Sequence, residues 1–275
     1  MLPSFLVIGA MKAGTTSLHR YLRAHPQVFM PEEKELDFFV AGRHWSRGRD
    51  WYEAQFAGAE GAAAVGEASP TYTMYPWFSG VADRVAELLP QVQLVYCVRH
   101  PIERMRSHYL HELEKGRERA PIGRALLANR RYLDASRYAM QLEQYLARIP
   151  RERIQVITAE QLRDDRAATV GRVLAFLGVD LEYPDSPVLD REFHRTSDKR
   201  LRRPLVEAAL RMPGTRAAAR LAPRPVRRLA SRRVDTGRAG AIPEALEARL
   251  RAELRSDVGR LRAHVGGEFD GWGIG

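Results

Sequence analysis

Phe5-Leu6-Val7-Ile8-Gly9-Ala10-Met11-Lys12-Ala13-Gly14-Thr15-Thr16-Ser17 opens with an apolar run that stops at a glycine. It continues through small residues, one lysine and three hydroxyls, and Leu18, Tyr21 and Leu22 then recur at helical spacing. This reads as strand, loop and helix. A glycine-bearing turn that feeds a helix presents backbone N–H groups and the positive helix end to an anion. Lys12 adds a mobile charge at the same place.

Further along the chain the same alternation returns. A strand is predicted over 92–98, closed by Arg99-His100-Pro101, with Pro101 suited to the first turn of a following helix. A helix over 138–147 precedes a strand over 154–158, and a helix over about 167–177 ends at Gly178. From Pro243 to about Val265, Leu246, Leu250, Leu254, Val258 and Leu261 mark one face of a closing amphipathic helix. Strands alternating with helices predict an α/β fold, a central parallel β-sheet flanked by helices in three layers, on a single domain over 1–275. Residues 199–240 break the rhythm with Pro204, Pro213, Pro223 and Pro225 and are expected to form an arginine-rich helical insertion at about 200–240.

The loop departs from the nucleotide-triphosphate form G-x-x-x-x-G-K-[ST], because its lysine precedes the second glycine and Thr15 stands in the usual lysine position. A lysine three residues early suits a single phosphate that bears the transferred group, whereas a later one reaches β and γ phosphates beside Mg²⁺. A second anion site is read in Arg99-His100-Pro101-Ile102-Glu103-Arg104-Met105-Arg106-Ser107-His108-Tyr109. Arg99 supplies a charged planar fork, and Ser107, two helical turns on, an O–H donor.

The run Lys12-Ala13-Gly14-Thr15-Thr16-Ser17 resembles the 5′-phosphosulfate loop of the sulfotransferases that use 3′-phosphoadenylyl sulfate (PAPS), and R-x-P-x-x-R-x-x-S-x-Y resembles their 3′-phosphate motif. Matching segments follow in the family's order: Gly66 to Tyr72, Ser136-Arg137-Tyr138, Val156 to Leu162, Phe176-Leu177-Gly178, and a closing helix that ends at Trp272. The likeness is greatest to the heparan sulfate branch and its bacterial relatives. The resemblance implies a P-loop-like fold and transfer of a sulfuryl group from PAPS to a hydroxyl, or secondarily an amine, of a carbohydrate or other small acceptor, with adenosine 3′,5′-bisphosphate (PAP) as product and no metal. It places Lys12, Ala13, Gly14, Thr15, Thr16, Ser17, Arg99 and Ser107 on the nucleotide, and Lys199 and Arg200 in a loop that covers it. It makes Lys12 catalytic. In Glu33-Lys34-Glu35-Leu36-Asp37-Phe38-Phe39 it makes Glu35 the base. Asp37 stands where the branch has histidine, a neighbouring charge expected to raise a carboxylate's pKa. Glu67 is a second carboxylate candidate, with Ala68 where the branch often has lysine. His19, His25, His100 and His108 lack ligand spacing and read as structural.

Composition bounds the alternatives. With 45% hydrophobic and 28% charged residues the chain reads as globular, and no stretch reaches the roughly 18 apolar residues of a membrane span. The apolar N-terminus has no basic n-region and reads as a strand, so a cytoplasmic location is expected, and the lone Cys97 lies in an apolar strand. The net charge of +10 is local: residues 202–233 hold ten arginines against one acid, Glu207. That excess predicts either a solvated face or peripheral contact with an anionic membrane. Nucleic acid fits poorly, because aromatics are not interleaved for base stacking. The rival readings are a P-loop kinase or NTPase, which wants lysine after Gly14, and a non-enzymatic basic surface-binding module. Oligomeric state has no sequence signature here.

Overall fold

The computed structural model describes residues 1–181, 200–202, 231–233, 235–265 and 269–274. Five parallel strands form the central sheet: β1 (Phe5–Gly9), β2 (Val28–Phe29), β3 (Ala64–Ala68), β4 (Gln93–Val98) and β5 (Ile154–Thr158). Their order across the sheet is β2-β3-β1-β4-β5. From β1 the chain crosses to one side, through α1 (Thr15–Arg23), to make β2 and, after α2 (Gly48–Ala54), β3; it then passes α3 (Val81–Leu88) to make β4 and β5 on the other. This reversal puts the carboxyl ends of β1 and β4 at the switch point, the crevice where open α/β sheets bind ligands.

The expected strands at Phe5, Gln93 and Ile154 are present and buried, as an all-parallel sheet with both faces covered requires. Gly66, inside β3, pairs with Phe5, and a Cβ there would lie 2.4 Å from the Phe5 ring. Only glycine lets the two strands carry that ring between them.

Beyond β4, α4 (Pro101–Glu114) begins with Pro101 as predicted and is followed by α5 (Ile122–Ala128), α6 (Arg131–Asp134) and α7 (Tyr138–Leu146). After β5 come α8 (Ala159–Asp164) and α9 (Arg166–Leu177), which stops at Gly178 with φ 73°. The long α11 (Glu244–Val265), preceded by the single turn α10 (Thr236–Ala239), joins two apolar clusters. Leu261 belongs to the sheet core, and Leu250, Leu254 and Val258 pack with Ile102, Met105 and Leu110 of α4. Asp257 of α11 also caps α7, accepting from the N–H groups of Ala139 (3.0 Å) and Met140 (2.9 Å). At the two described ends of the arginine-rich segment the chain is extended, not helical: Arg200–Arg202 and Ser231–Arg233 pair as an antiparallel ribbon and satisfy each other's backbone groups. Lys199 and the segment between those strands lie outside the described residues.

Candidate active site

The loop between β1 and α1 is shaped by two left-handed residues, Lys12 (φ 70°) and Gly14 (φ 96°). The outward turn of such residues gathers N–H groups into a concave nest. Three loop carbonyls are held from the β4 side. Arg104 Nη1 donates to Met11 O (3.5 Å), Arg99 Nη1 to Lys12 O (3.4 Å) and Cys97 Sγ to Ala13 O (2.6 Å). Because a trans peptide points its C=O and N–H in opposite directions, the amides of Lys12 and Gly14 face away from β4. Helix α1 then starts after Gly14 as N-cap, with no side-chain cap and no acid in its first turn, so no side chain among the described residues caps its positive end.

Lys12 is half-buried. Desolvation lowers its pKa; Arg99 and Lys34 lower it further, and Glu114 and Glu35 partly offset this. Arg99 ends β4 and is paired only loosely with Glu103, at 3.8 Å. Its backbone is fixed: Tyr138 Oη donates to Arg99 O (2.6 Å), and the next N–H, of His100, donates to Glu160 Oε1 (3.0 Å). Glu160 also accepts from the Trp272 indole at 3.3 Å. Ser107 is buried on α4. Lys12, Arg99 and Glu35 thus share one electrostatic neighbourhood at the switch point, with Ser107 on the helix that Arg99 leads into.

Glu35 has φ 69° and is anchored through its N–H to Ala68 O (3.1 Å). Burial raises its pKa, but the Lys34 ammonium at 3.0 Å, with His111 and Arg43, outweighs this and holds the carboxylate below its usual range. The expected upward push from Asp37 is not what the site contains. Asp37 is buried, ion-paired with Arg43 and hydrogen-bonded by Thr71 Oγ1, so its charge is spent locally. Its backbone N–H donates to Ser69 Oγ (3.0 Å), and Ser69 in turn donates to Glu67 Oε2 (2.6 Å). Glu67 is fully enclosed and also accepts from Tyr52 Oη (3.1 Å) and Tyr72 Oη (2.5 Å). It is a hub that holds the Glu35 loop, with its pKa raised by burial against those three bonds.

A family model described as the sulfotransferase family matches residues 3–184. The chain belongs to the sulfotransferase family. That membership makes it a transferase, and the α/β fold is the family's. A solved sulfotransferase from Alicyclobacillus acidocaldarius superposes with a TM-score of 0.72 at 26% identity, covering 99% of each chain. A mouse sulfotransferase, SULT7A1, in complex with PAP shares the fold at a TM-score of 0.50 and 11% identity, over 99% of this chain and 87% of that one. Among curated proteins, the bifunctional heparan sulfate N-deacetylase/N-sulfotransferase of Drosophila melanogaster is 30% identical over 227 residues, 72% of this sulfotransferase and 21% of that protein. The membrane-associated sulfotransferase kil1 of Dictyostelium discoideum is 37% identical over 111 residues, 39% of this chain and 22% of that one. The chain spans about a fifth of the length of these two curated relatives.

Arg104 is the residue that reading by sequence motif passed over in this sulfotransferase. It is the middle arginine of the Arg99–Tyr109 segment, fully buried, and donates to Ser136 Oγ (2.6 Å), Tyr132 O (2.5 Å) and Met11 O. It ties the anion loop to the helical layer. Ser136 and Tyr138, from one quoted segment, bond Arg104 and the Arg99 carbonyl, and Glu160, from another, bonds the next N–H, of His100, which the order of the segments signalled without showing why. Of the four histidines read as structural, His19 Nε2 meets Pro31 O at 3.2 Å, with burial pushing its pKa down to about 4, and His108 Nδ1 meets Arg104 at 3.3 Å.

Proposed function

We propose that one sulfotransferase domain spanning this chain transfers a sulfuryl group from PAPS to a hydroxyl or amine of a glycan. The observation that carries the reading is the pinning of the Lys12 loop by the Arg99 end of β4. It supports the reading of two cationic anion sites near one another at the switch point, as a nucleotide with phosphate at both 3′ and 5′ positions would require. The residues fit that group. The loop carbonyls are bound from behind, the α1 terminus is uncapped, and Lys12 and Arg99 are cations with only loose or long-range acidic partners.

PAPS supplies the sulfuryl group and a phosphate leaving oxygen on which negative charge grows. Lys12 and the amides of Gly14, Thr15 and Thr16 would stabilise that charge, the term that usually contributes most to catalysis. Arg99 and Ser107 would hold the 3′-phosphate. Glu35 would take the acceptor proton at a carboxylate oxygen, ionised throughout the neutral range. Lys199 and Arg200 would close over the nucleotide. A glycan acceptor is supported by the names of the heparan sulfate relatives. A cytoplasmic chain that touches an anionic membrane through residues 202–233 is supported by the charge count and by the membrane-associated relative. No helix among the described residues is long and apolar enough to cross a membrane.

Calorimetry with PAP against ATP and Mg²⁺ tests the assignment. PAP should bind and Mg²⁺-ATP should bind far more weakly; the reverse order would return the chain to the kinase reading. Arg99→Ala should weaken PAP more than AMP, and equal losses would show that it does not read the 3′-phosphate.

A further inference from the structure

Trp77 is the most exposed aromatic side chain among the described residues, at 43%, yet it is not loose. Its indole N–H donates to Asp134 Oδ2 at 3.2 Å, and the Arg131 guanidinium lies over its ring, 5.0 Å from the centroid. Arg131 has no ion pair among the described residues, and its buried Nε–H has no hydrogen-bond partner. Asp134 does not neutralise it, because that carboxylate is engaged by Trp77 and, at 3.5 Å, by Arg137. The indole is thus a fixed, partly exposed apolar face beside a guanidinium that no carboxylate among the described residues neutralises.

Arg43 links the pair to the Glu35 loop. Asp37, two residues after Glu35, is ion-paired with Arg43, whose guanidinium lies 5.4 Å from the ring of Phe78, the neighbour of Trp77. The charges of Glu35 and Arg131 are both felt at Arg43.

The geometry points to Trp77 and Arg131 as an acceptor platform, on which a sugar ring stacks on the indole and a carboxylate or sulfate on that sugar meets the unpaired guanidinium. This rests on the sulfotransferase reading and adds to it the residues that choose the acceptor. An indole offers a broad apolar face at small entropic cost, and a guanidinium binds a carboxylate or sulfate through two parallel N–H bonds.

The test is titration of the PAP-loaded chain with a glucuronate–glucosamine tetrasaccharide and with a neutral N-acetylglucosamine tetrasaccharide. The charged one should bind roughly tenfold more tightly. Trp77→Ala should weaken both by about tenfold. Arg131→Gln should abolish the preference, and Arg131→Lys should keep part of it. If the wild-type chain binds PAP but takes neither saccharide, or shows no preference, or if Trp77→Ala and Arg131→Gln bind as wild type does, the platform is refuted and the nucleotide assignment stands. Failure of the wild-type chain to bind PAP would refute that assignment, and the platform with it.

Discussion

Lys12 combines three conditions that seldom meet in a surface lysine: a left-handed backbone, partial burial and a neighbouring arginine. Burial lowers the pKa, yet an ammonium is the form that stabilises a phosphate leaving oxygen. Lys12→Ala should therefore cut turnover by roughly two to three orders of magnitude, measured by steady-state kinetics. The pH profile follows from the directions of the two shifts. Lys12 must be charged, so rate is lost as pH rises through a value below that of a free lysine. Glu35 must be ionised, so rate is lost only when pH falls below the ordinary carboxylate range. Between those limits kcat/KM should be flat, and a midpoint at neutral pH would exclude Glu35 as the base. Lys34→Met removes the cation 3.0 Å from Glu35 and should move the acid limb to higher pH.

The elements that hold these side chains differ in how far local pattern announces them. Strands β1 and β4 are mostly apolar runs near Gly or Pro signals, β5 is a short apolar run broken by Gln155, and α11 carries its five core residues at helical spacing, so periodicity finds them. Strand β3 is hidden, because Gly66 and Glu67 are poor strand formers whose reasons lie elsewhere. Gly66 makes room for the Phe5 ring, and Glu67 serves hydroxyls on residues 52, 69 and 72. Removing that hub strands three buried donors and loosens the Asp37 backbone through Ser69. Glu67→Ala should lower stability by roughly 2–4 kcal/mol, read as a fall in Tm. Glu67→Gln, which keeps an acceptor oxygen, should lose less. A Glu67→Ala protein as stable as wild type would show that the network is dispensable.

Over the whole molecule, charge is distributed unevenly, with a net +9 in residues 202–233 out of +10 in the chain. A stretch of that density should bind vesicles containing anionic phosphatidylserine in a salt-sensitive way. Replacing Arg227, Arg228, Arg232 and Arg233 by serine should weaken that binding by up to about three orders of magnitude, given about 1 kcal/mol per charge near the surface and about 1.4 kcal/mol per tenfold. Unchanged co-sedimentation with liposomes would refute the membrane contact. The chain's primary order was enough to place the strand, loop and helix at its start, the turn from Arg99 into α4 after β4, and the alternation that makes the sheet parallel. Each of these is a matter of turn chemistry or hydrophobic period, which act over a few residues. Folding in three dimensions settled that Arg104 would brace the loop at Met11, that Asp37 would be neutralised by Arg43, and that Ser136, Tyr138, Glu160 and Trp272 would close around one strand end. Those partners lie from six to more than a hundred residues apart. Most have no short-range signature, because a buried polar group is satisfied by whichever distant group the packing brings to it.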